Sequence, residues 1–240
     1  MLESPLSLSH SLLTLFGTQT KTHYFKRIPA AQAIVISNHR SFLDAPVLMN
    51  ALKRPIRFAC HHYMGQVPLL REFVEQMGGF PLAAPQQRQL SFFRQSMRLL
   101  KNQQSVGIFP EGTRPMVEIA SPCSVYNFHR GFAHLALRSP IENLPILPVA
   151  IASKEKGAIS PIPLRLFGLF DPSEPLFDQP GFHPVVIYNR VDVLVGNPIW
   201  ITQAQRQNYQ GKQAGEIVEE ITVSCQQSIA KLLQQGLYQT

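Results

Sequence analysis

The chain has 240 residues, of which 45% are hydrophobic and only 15% charged, with a formal net charge of +7. The length suits one core-bearing domain, and the charge fraction lies well below the roughly 25% of an average soluble domain, so more of the surface is apolar or merely polar. The positive excess points to an anionic partner, whether membrane surface, nucleic acid or phosphorylated metabolite, and does not choose among them.

The N-terminus has no basic segment leading into an apolar one, and Glu3 stands where a secretory signal would carry positive charge. Pro5–Phe16 then reads as a short uncharged helix with Leu6, Leu8, Leu12, Leu13, Leu15 and Phe16, suited either to packing on the core or to a membrane interface. Ala33–Ser37 is a continuous apolar run, the mark of a strand buried on both faces. A helix over Ala45–Leu52, a strand over Ile56–Cys60, a helix over Leu69–Met77 and a short strand over Phe80–Leu82 follow. Gln86–Asn102 spaces Leu90, Phe93, Met97 and Leu100 as a helix does and carries Arg94, Arg98 and Lys101 with no acidic residue. That basic face is either solvated or a seat for anionic headgroups. Ser105–Phe109 reads as another buried strand, Gly131–Arg138 as a helix and Ile146–Ala152 as a strand. Repeated strand–helix alternation predicts an α/β fold, a single domain with a mixed, mostly parallel central sheet flanked by helices. Six prolines between Ser160 and Pro184 predict a long irregular excursion, Val185–Val195 one or two strands, and Glu216–Leu233 a closing helix. No stretch reaches the roughly 18 uncharged apolar residues of a spanning helix.

The chemistry-bearing residues lie in two clusters, each just after a buried strand. The first is Ser37-Asn38-His39-Arg40-Ser41-Phe42-Leu43-Asp44. The loop leaving the carboxyl end of a strand is where an open α/β sheet binds ligands. Pro46 confines the following helix start to the neighbourhood of Asp44. Across that loop-to-helix corner the carboxylate can fold back on the His39 imidazole, fix its tautomer and make it a general base. Spacing alone is met more often by a turn-capping histidine and a helix-capping aspartate. The second cluster is Phe109-Pro110-Glu111-Gly112-Thr113-Arg114. There Gly112 permits close backbone approach, Thr113 offers a hydroxyl and Arg114 a forked donor suited to phosphate.

Together, NHRSFLD and FPEGTR closely resemble the motifs of the lysophosphatidic acid acyltransferase (1-acylglycerol-3-phosphate acyltransferase) family. Gly78-Gly79-Phe80-Pro81 looks like the family's second motif, and Phe128-His129-Arg130-Gly131 resembles its F-K-x-G element with His129 in the lysine's place. Leu144–Val149 resembles the fourth motif and Val195–Ile199 the closing strand, so the likeness runs from about Ile34 to about Ile199. It implies a glycerolipid acyltransferase-like fold, with residues 31–240 as the acyltransferase domain and 1–30 as a helical N-terminal segment. It implies His39 as general base, Asp44 as its partner, and Phe80, Glu111, Gly112, Thr113, Arg114 and Arg130 in substrate binding. The acyl donor would be acyl-CoA or acyl-carrier protein and the acceptor lysophosphatidic acid, the alternative being the same chemistry on glycerol 3-phosphate or another lysophospholipid, with no metal or other cofactor. One departure concerns the acceptor: the family's second motif ends in a basic residue, and Ala84 stands there, with Arg88 four residues on.

Two rival classes differ in their residues. A lipid-binding relative that has lost catalysis would have no reason to keep both His39 and Asp44. A nucleic-acid binder would need an aromatic–basic recognition motif, which the chain lacks. Cys60-His61-His62 lacks the spacing and second cluster of a zinc site, and three scattered cysteines (Cys60, Cys123 and Cys225) favour a reducing compartment. The expected location is the cytoplasmic face of a membrane, held peripherally. Leu12, Leu13, Phe16, Phe167 and Phe170 would enter the interface, while Arg94, Arg98 and Lys101 would face headgroups.

Overall fold

The computed structural model of the chain describes residues 4–66, 70–112, 114, 124–153, 156–169 and 182–238. The strands are β1 (Gln19–His23), β2 (Ile34–Ser37), β3 (Ile56–Cys60), β4 (Phe80–Pro81), β5 (Ser105–Ile108), β6 (Pro145–Ala152), β7 (Lys156–Pro163), β8 (Phe182–Tyr188), β9 (Arg190–Val195) and β10 (Ile199–Trp200). The α-helices are α1 (Pro5–Leu15), α2 (Asp44–Leu52), α3 (Leu70–Gln76), α4 (Arg88–Lys101), α5 (Gly131–Arg138), α6 (Leu164–Gly168), α7 (Gln203–Gln207) and α8 (Gly211–Tyr238).

The central sheet has the order β1-β9-β6-β2-β5-β3-β4, with β10 added antiparallel to β6. Only the β6–β9 pairing along that path is antiparallel; β1–β9, β2–β6, β2–β5, β3–β5 and β3–β4 are parallel. The fold is therefore α/β with a mixed, mostly parallel sheet. The apolar runs of β2 and β6 are buried at every position, because helices cover both faces. Alternate residues divide between the two layers, as the period of two requires. Ile34, Ile36, Val106 and Ile146 pack with α5 and α8, while Val35, Leu147, Val149 and Ile151 pack with α1 and α2.

Several boundaries differ from the sequence expectation. Strand β1 is an unforeseen edge strand; its polar sequence QTKTH has no apolar alternation, and Lys21 blunts an edge that would otherwise invite pairing. The proline-rich excursion is partly regular: β7 runs through Pro161 to Pro163, pairs antiparallel with β8, and leads into α6. The register slips between Ile159 and Ile162, which is where a strand tolerates proline. The remainder of that excursion, with Phe170 and Phe177, falls outside the described residues. Helix α8 begins at Gly211 and ends at Tyr238, beyond the expected bounds at both ends, so Glu216, Glu219 and Glu220 lie inside it and do not open it. Its buried stripe is Val218, Ile221, Cys225, Ile229, Leu232 and Leu233.

Candidate active site

Strands β2 and β5 are parallel neighbours, registered from Ile34 opposite Val106 to Ile36 opposite Ile108. Their carboxyl ends therefore lie side by side, and the two motif loops meet although 72 residues separate His39 from Glu111. On the other flank of β2, the Asn38 side chain exchanges two hydrogen bonds with the Ile151 backbone, at 2.9 Å and 2.8 Å, acting as one more peptide in the sheet.

His39 Nδ1 stands 2.8 Å from Asp44 Oδ2. The same oxygen accepts the backbone N–H groups of Arg40 at 2.6 Å and Ser41 at 2.9 Å, while Oδ1 accepts the Tyr188 hydroxyl at 2.8 Å. Four donors converging on one fully buried carboxylate leave it acceptor-only. His39 Nδ1 must then carry the hydrogen, which leaves the Nε2 lone pair free to take a proton. The bend that permits this is made locally: Asp44 is the first residue of α2, its N–H donates to Ser41 O at 3.0 Å, and Pro46 falls within the first turn. The Ser41 hydroxyl donates to Val186 O and accepts from Leu43 N, which ties the bend to β8. Burial first, and then the neighbouring Asp44 carboxylate, pushes the Tyr188 phenol well above its usual range, so it stays a proton donor.

The second motif supports the first from below. Both oxygens of Glu111 are engaged: Oε1 accepts the His39 N–H at 2.9 Å and Oε2 the Tyr126 N–H at 2.7 Å, and the Arg40 guanidinium bonds to both, at 3.0 and 3.2 Å. This ion pair is almost dry, with side chains 7% and 0% exposed. Arg40 also donates to the Ser124 carbonyl. The His39 ring stacks on Phe109 with centroids 4.2 Å apart, and Phe109 stacks on Phe58 at 5.1 Å. Position 107 must be glycine for that stack, since a Cβ there would lie 2.2 Å from the Phe58 ring. Gly112 has φ +67°, the left-handed region that glycine enters without cost, and a Cβ there would meet the His129 ring at 2.8 Å.

Of the other residues expected to bind substrate, Arg114 is exposed, its guanidinium 4.8 Å from the centre of the Tyr126 ring. Thr113 lies outside the described residues. Phe80 is buried on the edge strand β4 within the core, three strands from β2. Arg130, just before α5, pairs with Glu219 of α8 on the surface. Cys60 bonds to the Phe58 carbonyl and His62 to that of Leu82; among the described residues no group of His, Cys, Asp and Glu could hold a metal. Tyr188, Asn38 and Phe109 hold the pair in place and were not singled out from sequence. Phe109 lay within a recognised motif, but nothing in a strand-like run announces that Tyr188 meets a residue 144 positions earlier.

Comparison with known proteins identifies the family and the fold. A chloroplastic 1-acyl-sn-glycerol-3-phosphate acyltransferase of Arabidopsis thaliana is 30% identical over 115 residues, covering 48% of this chain and 31% of that protein. The 1-acyl-sn-glycerol-3-phosphate acyltransferase of Saccharomyces cerevisiae is 25% identical over 146 residues, covering 60% of this chain and 46% of that protein. The chain thus spans less than half the length of these curated relatives. In fold it matches the crystal structure of the 1-acyl-sn-glycerophosphate (LPA) acyltransferase PlsC from Thermotoga maritima, with a TM-score of 0.60 and 18% identity over 98% of this chain and 79% of that one. The Acyltransferase family model matches residues 19–152, which contain both motif loops and more than half of the sequence, and the chain belongs to that family.

Proposed function

We propose that this acyltransferase moves a fatty acyl group from a thioester donor, acyl-CoA or acyl-carrier protein, to the free hydroxyl of 1-acylglycerol 3-phosphate, giving phosphatidic acid. The observation that carries the reading is the 2.8 Å His39–Asp44 pair, held in the tautomer that leaves Nε2 able to accept a proton. The relatives' names, 1-acyl-sn-glycerol-3-phosphate acyltransferases, support the choice of acceptor. In the reaction His39 takes the proton of the acceptor hydroxyl as its oxygen attacks the thioester carbonyl. The tetrahedral oxyanion, held by hydrogen-bond donors, collapses with loss of the thiolate, which takes up the proton. Neither an acyl-enzyme nor a metal is required for this sequence of steps. Arg114, exposed beside the FPEG loop, is the proposed partner of the acceptor phosphate.

The enzyme would reach its acceptor at a membrane surface. Among the described residues no helix is long and apolar enough to cross a bilayer. The apolar contact expected at the N-terminus needs revision, because Leu13 is 2% exposed and faces the core. Leu15, at 78% exposure, and Phe42, at 46%, are exposed instead. Phe42 packs edge-on against Phe16 at the end of α1 and belongs to the same loop as His39, so a lipid contact here would hold the site against its substrate.

The test is a product assay with purified protein, labelled acyl-CoA and acyl-carrier protein, and a panel of acceptors: 1-acylglycerol 3-phosphate, glycerol 3-phosphate and lysophospholipids with headgroups. Phosphatidic acid is the expected main product. Preference for glycerol 3-phosphate or a headgroup-bearing acceptor would overturn the assignment while leaving the chemistry. Arg114→Ala should raise the acceptor KM far more than the donor KM, with Lys rescuing only in part, since it loses the fork.

A further inference from the structure

The Asp44 carboxylate has two oxygens with different company. Oδ2 receives His39 Nδ1 and two backbone N–H groups, while Oδ1 receives the hydroxyl of Tyr188, a ring only 1% exposed. Tyr188 closes β8, and its position is fixed at two further points: its carbonyl accepts the Thr18 hydroxyl at 2.7 Å, and Val186, two residues earlier, accepts from Ser41 in the site loop. A buried phenol so firmly seated against a buried carboxylate is more than filler, since a phenylalanine would fill the same space. We infer that Tyr188 is a positioning residue that, by sharing the Asp44 carboxylate with His39, tunes how readily His39 accepts a proton.

The physical reason is charge sharing. A hydroxyl donating to a carboxylate stabilises its negative charge and so weakens the pull of that charge on an imidazolium at the other oxygen. Without the hydroxyl, Asp44 holds the His39 imidazolium more tightly, and His39 stays protonated to higher pH. Among the described residues, the other charged groups facing the pair are Arg40 on the same loop and Glu111 from the loop after β5; they neutralise each other in a near-dry ion pair, so removing the phenol is not masked by a lone charge. This inference rests on the reading of His39 as the base, but its main test does not need turnover.

The experiment is an NMR titration of the His39 imidazole in the full chain, its resonance identified by its loss in His39→Ala. Tyr188→Phe should raise the His39 titration midpoint by about one pH unit, a tenfold change in proton affinity. The acidic limb of kcat/KM should move up by the same amount, with both KM values unchanged. Site-specific 3-fluorotyrosine at position 188, a stronger donor, should shift the midpoint down, which keeps the test alive if the phenylalanine variant folds poorly. An unchanged midpoint in folded Tyr188→Phe, or a shift of the same sign in both variants, would overturn the role of Tyr188. Near-normal turnover in folded His39→Ala would instead sink the general-base reading, with the titration still deciding on Tyr188.

Discussion

At the scale of single residues, the proposed proton transfer rests on His39 and on the donors that the Asp44 carboxylate collects. His39→Ala and Asp44→Asn should each fold and lose transfer by roughly 10² to 10⁴-fold, the usual worth of positioned acid–base catalysis. Asparagine at 44 is the sharper probe, because its amide can no longer accept from every donor that Asp44 collects. Steady-state rates on variants of native circular dichroism check this. Glu111 differs in kind. Its carboxylate is consumed by His39 N–H, Tyr126 N–H and Arg40, so it braces one motif loop against the other. Glu111→Ala leaves the buried Arg40 guanidinium uncompensated and should cost about 3–5 kcal/mol of stability. Urea unfolding that shows a loss under 1 kcal/mol would refute that bracing.

Among elements, the pairing of β2 with β5 decides most, since it brings two strand ends together and stacks His39 on Phe109 and Phe109 on Phe58. Gly107 in β5 makes room for the stack. Gly107→Ala should destabilise by about 1–3 kcal/mol through overpacking, and lower turnover with His39 and Asp44 intact, as the displaced rings shift the imidazole. Chemical denaturation and single-turnover rates on one preparation would show whether the two losses travel together. The continuous runs of β2, β5 and β6 were readable because burial on both faces removes polar residues. Strand β1 was not, because an edge strand keeps its polar side chains, and β7 was not, because two prolines hide a pairing that a bulge makes possible.

For the whole molecule, the layering separates two features that the sequence invited one to combine. Helix α4, with exposed Arg94, Arg98 and Lys101, packs on the face of the sheet opposite to α1 and α2. Exposed Leu15 ends α1, and exposed Phe42, in the loop that carries His39, packs on Phe16 just after that helix. In liposome flotation, Leu15→Ser with Phe42→Ser should therefore reduce binding several-fold, while Arg94→Gln with Arg98→Gln should weaken it much less. Each basic residue near an anionic surface adds only about 1 kcal/mol, and less as salt rises. Equal flotation of the Leu15/Phe42 double variant and the parent would dismiss the apolar contact.

The class of the fold and the two motif loops are legible in the chain alone. Both signals are local: apolar runs report burial, and a histidine, an aspartate and a proline within eight residues specify a strand-to-helix bend. What stands around that bend depends on contacts between distant parts of the chain. Glu111 reaches it because β5 lies beside β2, and Tyr188 because β8 passes over the site, tied to Ser41. Those contacts span 72 and 144 residues and depend on strand order, which the pattern of apolar residues along a chain does not encode. The same holds for Leu13 and Leu15: both belong to one apolar segment, and only the packing of α1 on the sheet buries the first and leaves the second in solvent.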